Sequence, residues 1–235
     1  MLNLGFSSEE IYYMSEETFL DNKDLSATLV AKNQKYYKSV YTDLNGESYS
    51  IEIPKEEYEN QGTINSRGYV ETEYKTMVTT LSQNGNRYRY KVSLSWKQMP
   101  STRSYDIIGI GFNDPVYISS GVYFNYAHTN SNGVTTTAAD YYDKKVTSTG
   151  GTAVYKIPSS ATALSAALWY DVSKNTSATI TRLDMYGDYS HATTAISGTG
   201  YTNHDVGVYG IGLSSSIGAY YDEIPAAQST WYGSW

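Results

Sequence analysis

From Lys35 onward the chain alternates apolar and polar residues with a period of two, the pattern of half-buried strands. In "KYYKSVYTDLNGESYSIEI" the alternation runs on both sides of Asn45-Gly46, a dipeptide suited to a tight hairpin turn. Tyr37 shares a face with Tyr41, and Tyr49 shares one with Ile51 and Ile53. A second hairpin is predicted in "YVETEYKTMVTTLSQNGNRYRYKVSLSW", with Asn84-Gly85 at the turn and Val92, Leu94 and Trp96 on one face. Further short strands are expected in "RSYDIIGIGF", "PVYISSGVYFNYA", "TAVYKI", "LSAALWYDV", "SATITRLDMYG" and "DVGVYGIGLSSSIGAYY". The polar stretch "PKEEYENQGTINSRG" reads as a long connection with room for one helical turn.

The opening has a different period. In "SSEEIYYMSEETFLDNKD", Ser7 with Glu10 and Ser15 with Glu16 and Glu17 form successive helix N-caps followed by acids. Two short helices are expected, with Ile11, Met14, Phe19 and Leu20 as the buried stripe of a lid on the sheet. The predicted fold is therefore all-β, an antiparallel β-sandwich or jelly-roll-like domain with a short helical N-terminal segment. A helical cover over residues 1–34 precedes a β domain over 35–235, with a possible subdivision near 100. At that point charge thins out: residues 1–100 hold 25 charged side chains and residues 101–235 hold 16. No fixed-period repeat is visible, which disfavours solenoids and propellers.

Composition narrows the chemistry. The chain of 235 residues has no cysteine, which excludes disulfides, thiolate metal sites and cysteine nucleophiles. A formal net charge of -7 argues against nucleic acid as a partner and against anionic lipid surfaces. No run approaches the roughly 18 apolar residues of a transmembrane helix. The 26 tyrosines suit sheet faces and their rims, the sharper alternative being a tyrosine-lined binding face.

Two of the three histidines fall in "YGDYSHATTAISGTGYTNHD". If its two arms pair as antiparallel strands, His191 and His204 approach across the ladder, and Asp188 or Asp205 completes a candidate zinc or nickel site. The competing reading makes Gly198, Gly200 and Asn203 a turn, with both imidazoles bonded to backbone or solvent; no metal or other cofactor is expected. Aspartates in "NGVTTTAADYYDKKV" and "DPVYISSG" lack a regular calcium-loop spacing and read as solvated loops. No nucleophile elbow, zinc-protease helix, phosphate loop or dinucleotide fingerprint is present, so no catalytic residues are assigned. Trp96 and Trp169 sit inside strand patterns as core anchors, whereas Trp231, Tyr232 and Trp235 are candidate ligand-binding residues if the tail does not pack as a last strand. The nearly uncharged stretch from Ala192 to Ile217 has the composition of a membrane-inserting hairpin, but its apolar phase shifts partway, as in a bulged strand.

The segments "LGFSSEEIYYMSEETFLDNKDLSATLVAKNQKYYK", "VSLSWKQMPSTRSYDIIGIGF" and "GDYSHATTAISGTG" resemble uncharacterised secreted β-rich proteins of Gram-positive spore-forming bacteria, over about a third of the chain. This resemblance implies an extracellular or cell-surface setting and supplies no catalytic residues. The opening lacks the basic and apolar regions of a signal peptide, so Met1 stands before a mature segment under that reading. A fainter similarity links the tyrosine-histidine strand and aromatic tail to lactococcin-type bacteriocins. The functional expectation is a non-enzymatic protein acting by surface recognition or self-association, with a cell-surface or cell-wall component, or a second copy of itself, as partner. A bacteriocin-like or pore-forming toxin and a glycan-binding module are the alternatives.

Overall fold

A computed structural model describes residues 1–41, 48–60, 73–113, 115–197, 199–214, 218 and 220–235. Two antiparallel sheets stack face to face, as the alternation predicts. Sheet A contains β1 (Thr28–Tyr41), β2 (Ser48–Ile53), β3 (Tyr74–Asn84) and β4 (Arg87–Gln98), then β6 (Val116–Ile118), β7 (Tyr123–Asn130), β8 (Thr135–Ala138) and β11 (Ala161–Lys174). Its order is β2-β1-β3-β4-β11-β7-β8, with β6 also on β11. Sheet B has the order β15-β12-β5-β10-β9, with β16 also on β12. Its strands are β5 (Tyr105–Phe112), β9 (Asp143–Thr147), β10 (Gly150–Lys156), β12 (Arg182–Ala192), β15 (Tyr221–Glu223) and β16 (Ala227–Tyr232).

β1 and β2 pair from Tyr36↔Ile53 to Tyr41↔Ser48, while Asn45-Gly46 itself lies outside the described residues. The second hairpin is observed, with its turn one position further on than expected. Asn84 pairs with Arg87, so Gly85 and Asn86 form the two-residue loop. Gly85 has φ 58, the conformation a hairpin turn needs at its first central position and the one glycine adopts without a Cβ penalty.

Alternation along β4 sends Tyr88, Tyr90, Val92, Leu94 and Trp96 into the space between the sheets, where Leu168, Tyr170, Ile108, Ile110 and Met185 meet them. Each such side chain contributes on the order of 2 kcal/mol when withdrawn from water. Two of the tyrosine hydroxyls in this interior find backbone acceptors, Tyr170 donating to the Ile110 carbonyl at 3.1 Å and Tyr37 to that of Pro225 at 2.8 Å, whereas the buried Tyr88 hydroxyl has no partner among the described residues. Burial pushes the Tyr170 phenol well up, so it remains a donor.

On the outer face of β4 the same alternation places Arg89 and Lys91, which the N-terminal segment covers. Helices α1 (Ser8–Tyr12) and α2 (Glu16–Asn22) begin at the expected caps, with Glu10 N donating to Ser7 Oγ at 3.1 Å and Thr18 N to Ser15 Oγ at 3.2 Å. Leu4, Phe6 and Trp169 form the cover's buried cluster, with Ile11 and Met14 packed against it. Phe19 and Leu20 correct the expected stripe, being 38% and 52% exposed. The sheet-facing position at the end of α2 is Asn22, whose Oδ1 accepts from Arg89, so the helix buries this polar residue in place of Phe19 and Leu20. Lys91 pairs with Glu10 at 2.7 Å, and Arg89 pairs with Asp171 at 2.7 Å.

The stretch read as "DVGVYGIGL" is a hairpin and not one bulged strand. Strands β13 (His204–Gly207) and β14 (Gly210–Leu213) turn at Val208 and Tyr209, which is why the apolar phase changes there. This hairpin lies on the outer face of sheet B. A Cβ on Gly111 of β5 would stand 2.4 Å from the Val208 carbonyl oxygen, so only glycine permits so close an approach. Beneath it, Asp188 accepts from Ile211 N at 2.9 Å and Tyr189 N at 2.7 Å. Desolvation raises its carboxyl from an ordinary 3.8 to about 7, with Glu223 adding like-charge repulsion. The supposed loop of 132–146 also holds structure, namely β8 and most of β9, whose short threonine- and lysine-rich runs lack an apolar period. The polar connection contains α3 (Lys55–Glu59), the helical turn for which the sequence left room.

Two outcomes are expected. Glu10→Ala strands the Lys91 ammonium under the cover and should lower unfolding free energy by about 3 kcal/mol in urea melts, against less than about 0.5 for exposed Glu17→Ala. Asp188 favours the folded state below its unfolded value near 3.8, and that contribution is lost as the pH rises to 7. Asp188→Asn keeps an acceptor for Ile211 without the charge. It should raise Tm at pH 8 by roughly 5 °C and have little effect at pH 3.5, as read by calorimetry.

Candidate functional site

The outer face of sheet A carries an open groove of about 760 Å³ between the N-terminal cover and α3. Its floor follows from strand parity: one register row runs Tyr36↔Thr76↔Ser95↔Ser165↔Ala127↔Thr137 across β1, β3, β4, β11, β7 and β8, its last member Thr137 lying under the cover with its hydroxyl donating to the Tyr13 carbonyl. Six strands about 4.8 Å apart make this row about 24 Å long. A smaller hollow of about 130 Å³, bounded by Tyr13, Thr129 and Thr135, shares Glu9, Ser95 and Ser165 with the groove and continues it toward β8.

Small side chains keep the floor low, because neither serine, threonine nor alanine fills the space between the two walls. The Ser95 and Ser165 hydroxyls take no part in the side-chain hydrogen bonds of the described residues. One wall is α3, where the Tyr58 ring stands 4.8 Å from Tyr36 and 6.4 Å from Tyr74. Lys97 Nζ lies over the Tyr58 ring at 4.7 Å and donates to its carbonyl at 2.7 Å, fixing the ring at the rim. Burial raises the Tyr58 phenol, which stays protonated and able to donate. The other wall is Phe6, Ser8 and Glu9 of the cover. Charges at the rim largely pair among themselves, Lys55 with Glu59 at 3.1 Å and Lys91 with Glu10 at 2.7 Å.

The four metal candidates are not brought together. β12 pairs with β5, β15 and β16, while β13 pairs with β14, so the conditional pairing of the two histidine arms does not form. His191 points into the interior, its Nδ1 3.0 Å from Asp106 Oδ1 and its ring 5.1 Å from Trp96. Asp188 lies on the opposite face of β12, under the hairpin. His204 is buried with Nδ1–H donating to the Tyr201 carbonyl at 2.9 Å and Nε2 accepting from Thr152 Oγ1 at 2.9 Å. Burial lowers its pKa, holding the ring neutral in that tautomer. Asp205 is exposed and accepts from Val206 N at 2.7 Å. Among the described residues no group of three or more histidine and carboxylate side chains is placed to hold a metal ion.

Around His191 lies a buried polar cluster that the sequence did not reveal, since its members come from six strands. Asp106 also accepts from the Tyr189 hydroxyl and from Ala192 N at 3.1 Å, and Trp96 Nε1 donates to Tyr189 Oη at 3.0 Å. Beside it, Asp222 accepts from Lys75 at 3.1 Å and from Ser50 at 2.6 Å, and the Lys75 ammonium lies 4.6 Å from the Trp96 ring. Lys75, Asp106 and Asp222 have no solvent exposure, so this cluster joins the sheets and receives no substrate.

The aromatic tail packs as the last strand. Trp231 pairs with Leu183 in register, and Trp231 and Trp235 stand 5.0 and 4.7 Å from the Tyr88 ring. Trp235 and Ile180 exchange both backbone hydrogen bonds. Tyr232 points away from this core at 71% exposure, with Arg182 5.7 Å from its ring. No helix among the described residues is long and apolar enough to cross a membrane.

No protein-family model and no curated protein matches the chain. Solved structures that it resembles include domains of bacterial surface proteins. The collagen binding domain of Erysipelothrix rhusiopathiae surface protein RspB is 11% identical at a TM-score of 0.35, over 83% of this chain and 59% of that one. The BspA domain BspA_C_WT is 8% identical at 0.33, over 68% and 79%. The KRT10-binding region domain of the pneumococcal serine rich repeat protein PsrP is 8% identical at 0.30, over 67% and 86%. Such likenesses assign neither ligand nor activity, and the chemistry of the groove stands on this chain's own residues.

Proposed function

We propose that this chain is a non-enzymatic recognition domain working outside the cell or at its surface, with the outer face of sheet A as the ligand-facing surface. One observation carries the reading: a continuous groove crosses six strands, floored by small hydroxyl side chains and walled by aromatic rings. Rigid strands hold this floor in place without a ligand, and a preformed site keeps the ordering cost of binding low.

The location of the reactive groups supports the non-enzymatic part. His191, Asp106, Lys75 and Asp222 are spent on the interior, where they bond one another, Ser50 and the Tyr189 hydroxyl. The toxin alternative fares less well at the hairpin it relied on. β13 and β14 have four residues each, short of the roughly 9 to 11 that a membrane-spanning strand requires.

Ser165→Trp places an indole in the groove floor and tests the surface directly. Fluorescent wild-type protein is expected to be retained on Gram-positive cell-wall sacculi or on collagen-coated surfaces. Retention should fall at least tenfold in Ser165→Trp, with far-ultraviolet spectra and Tm unchanged. Tyr232→Ala, on the strand edge of sheet B, is the control and should leave retention intact. Equal retention of wild type and Ser165→Trp, or loss confined to Tyr232→Ala, would move recognition away from sheet A and onto the aromatic tail.

A further inference from the structure

The groove's own chemistry identifies a ligand class. We infer that it takes an uncharged, extended saccharide chain lying across the strands from Tyr36 on β1 to Thr135 on β8, a proposal that rests on sheet A being the recognition surface.

Four features of the groove converge on that class. Its length is the first. A trench about 24 Å long that continues past the 760 Å³ groove into the hollow beside Thr129 fits a linear polymer better than a compact small molecule. Second, the floor offers side-chain hydroxyls from Ser95 and Ser165, Thr76 beside them is bonded to Tyr58, and Gln34 lines the same groove with an amide. These groups both donate and accept, which is what the hydroxyls of a sugar require. A peptide adding to a sheet needs a free strand edge with unpaired backbone groups. Here the floor is the middle of the sheet, and the N–H and C=O groups of β3, β4 and β11 are engaged with neighbours on both sides.

Third, tyrosine rings stand at both ends of the row. Tyr36 and Tyr58 close one end, and Tyr13 borders the hollow near the other. Ring faces at the ends with hydroxyls between them suit a chain whose sugar units present apolar faces and polar edges in turn. Fourth, the rim carries little unbalanced charge. Lys55 is paired with Glu59 and Glu10 with the buried Lys91, and the remaining charged lining residues, Lys32 and Glu9, are of opposite sign. A polyanion such as a phosphate-linked polymer would meet Glu9 and Glu59 without a matching basic stripe, so charge favours a neutral chain.

This groove is distinct from the aromatic tail, whose tryptophans seal the far end of the core. It also explains why the serines of β4 and β11 occupy positions that sheet propensity would give to β-branched residues.

Affinity electrophoresis tests the proposal with laminarin, galactomannan and xyloglucan in the gel and with chitin oligomers as soluble competitors. Wild-type protein is expected to be retarded by at least one of these neutral polymers. Ser95→Ala with Ser165→Ala, which removes two hydroxyls without filling the groove, should weaken that retardation about tenfold, as should Tyr58→Ala. Mobility in polymer-free gels and Tm report whether each variant is folded. No retardation by any of the neutral polymers overturns the saccharide assignment, as does retardation that the serine and tyrosine variants leave unchanged. If neutral polymers fail while Ser165→Trp still abolishes retention on sacculi or collagen, the recognition surface stands and its ligand is of another class, a peptide foremost. If both fail, the surface itself is wrong.

Discussion

Two stacked sheets without a disulfide are joined only through what their inner faces bury, and here those faces are rich in tyrosine. Each ring supplies apolar area and brings a hydroxyl that must not be left dry without a partner. For Tyr170, Tyr37 and Tyr189 the interior supplies acceptors: the Ile110 and Pro225 carbonyls and, at one end, the Asp106 carboxylate that gathers Tyr189, His191 and the Ala192 amide. Asp106 is thus the point where a tyrosine-built core becomes a polar network. Lys75 and Asp222 extend that network, the ammonium bonding Asp222 and lying over Trp96. Removing one partner would leave another charged group or donor uncompensated in the interior, which makes the arrangement specific as well as stable.

The two outer faces are treated differently. Sheet B is covered by the β13–β14 hairpin, which approaches so closely that β5 must present glycine to it. Sheet A is covered over only part of its breadth, by an N-terminal segment held down through the Arg89–Asn22 hydrogen bond, the Lys91–Glu10 pair and the Phe6–Trp169 contact. The uncovered part is the groove. A fold that spends polar contacts to hold a cover on one half of a sheet while leaving serine and alanine on the other half has formed a wall and a floor from one layer. The functional surface is therefore a consequence of where the cover ends.

Much of the architecture is visible in period and punctuation. The second hairpin, the two capped helices, the inward face of Val92, Leu94 and Trp96 and the sandwich itself all follow from local rules. Local rules are weakest where a residue's environment is set from far away. Phe19 and Leu20 look like a buried stripe until Asn22 is seen to meet Arg89, and "VGVYGIGL" looks like one strand until its chain reversal is seen on sheet B. Threonine- and lysine-rich β8 and β9 have no apolar period at all, because edge strands need not bury either face fully.

The same division holds for the site. Residue types alone drew attention to His191, His204, Asp188 and Asp205, whose closeness in sequence suggested closeness in space. Strand pairing decides otherwise, since neighbours two residues apart on a strand share a face but reach a partner only through the sheet's order. Ser95 and Ser165, unremarkable in sequence, become neighbours because β4 and β11 pair in one register, although 70 positions separate them. By itself the amino-acid sequence determined where strands, turns and caps form and which side chains face inward, because those depend on bonds between near neighbours. Only the tertiary structure decided which strands lie side by side and where the cover stops, because cross-strand order is set by packing between distant segments, and the groove exists nowhere else.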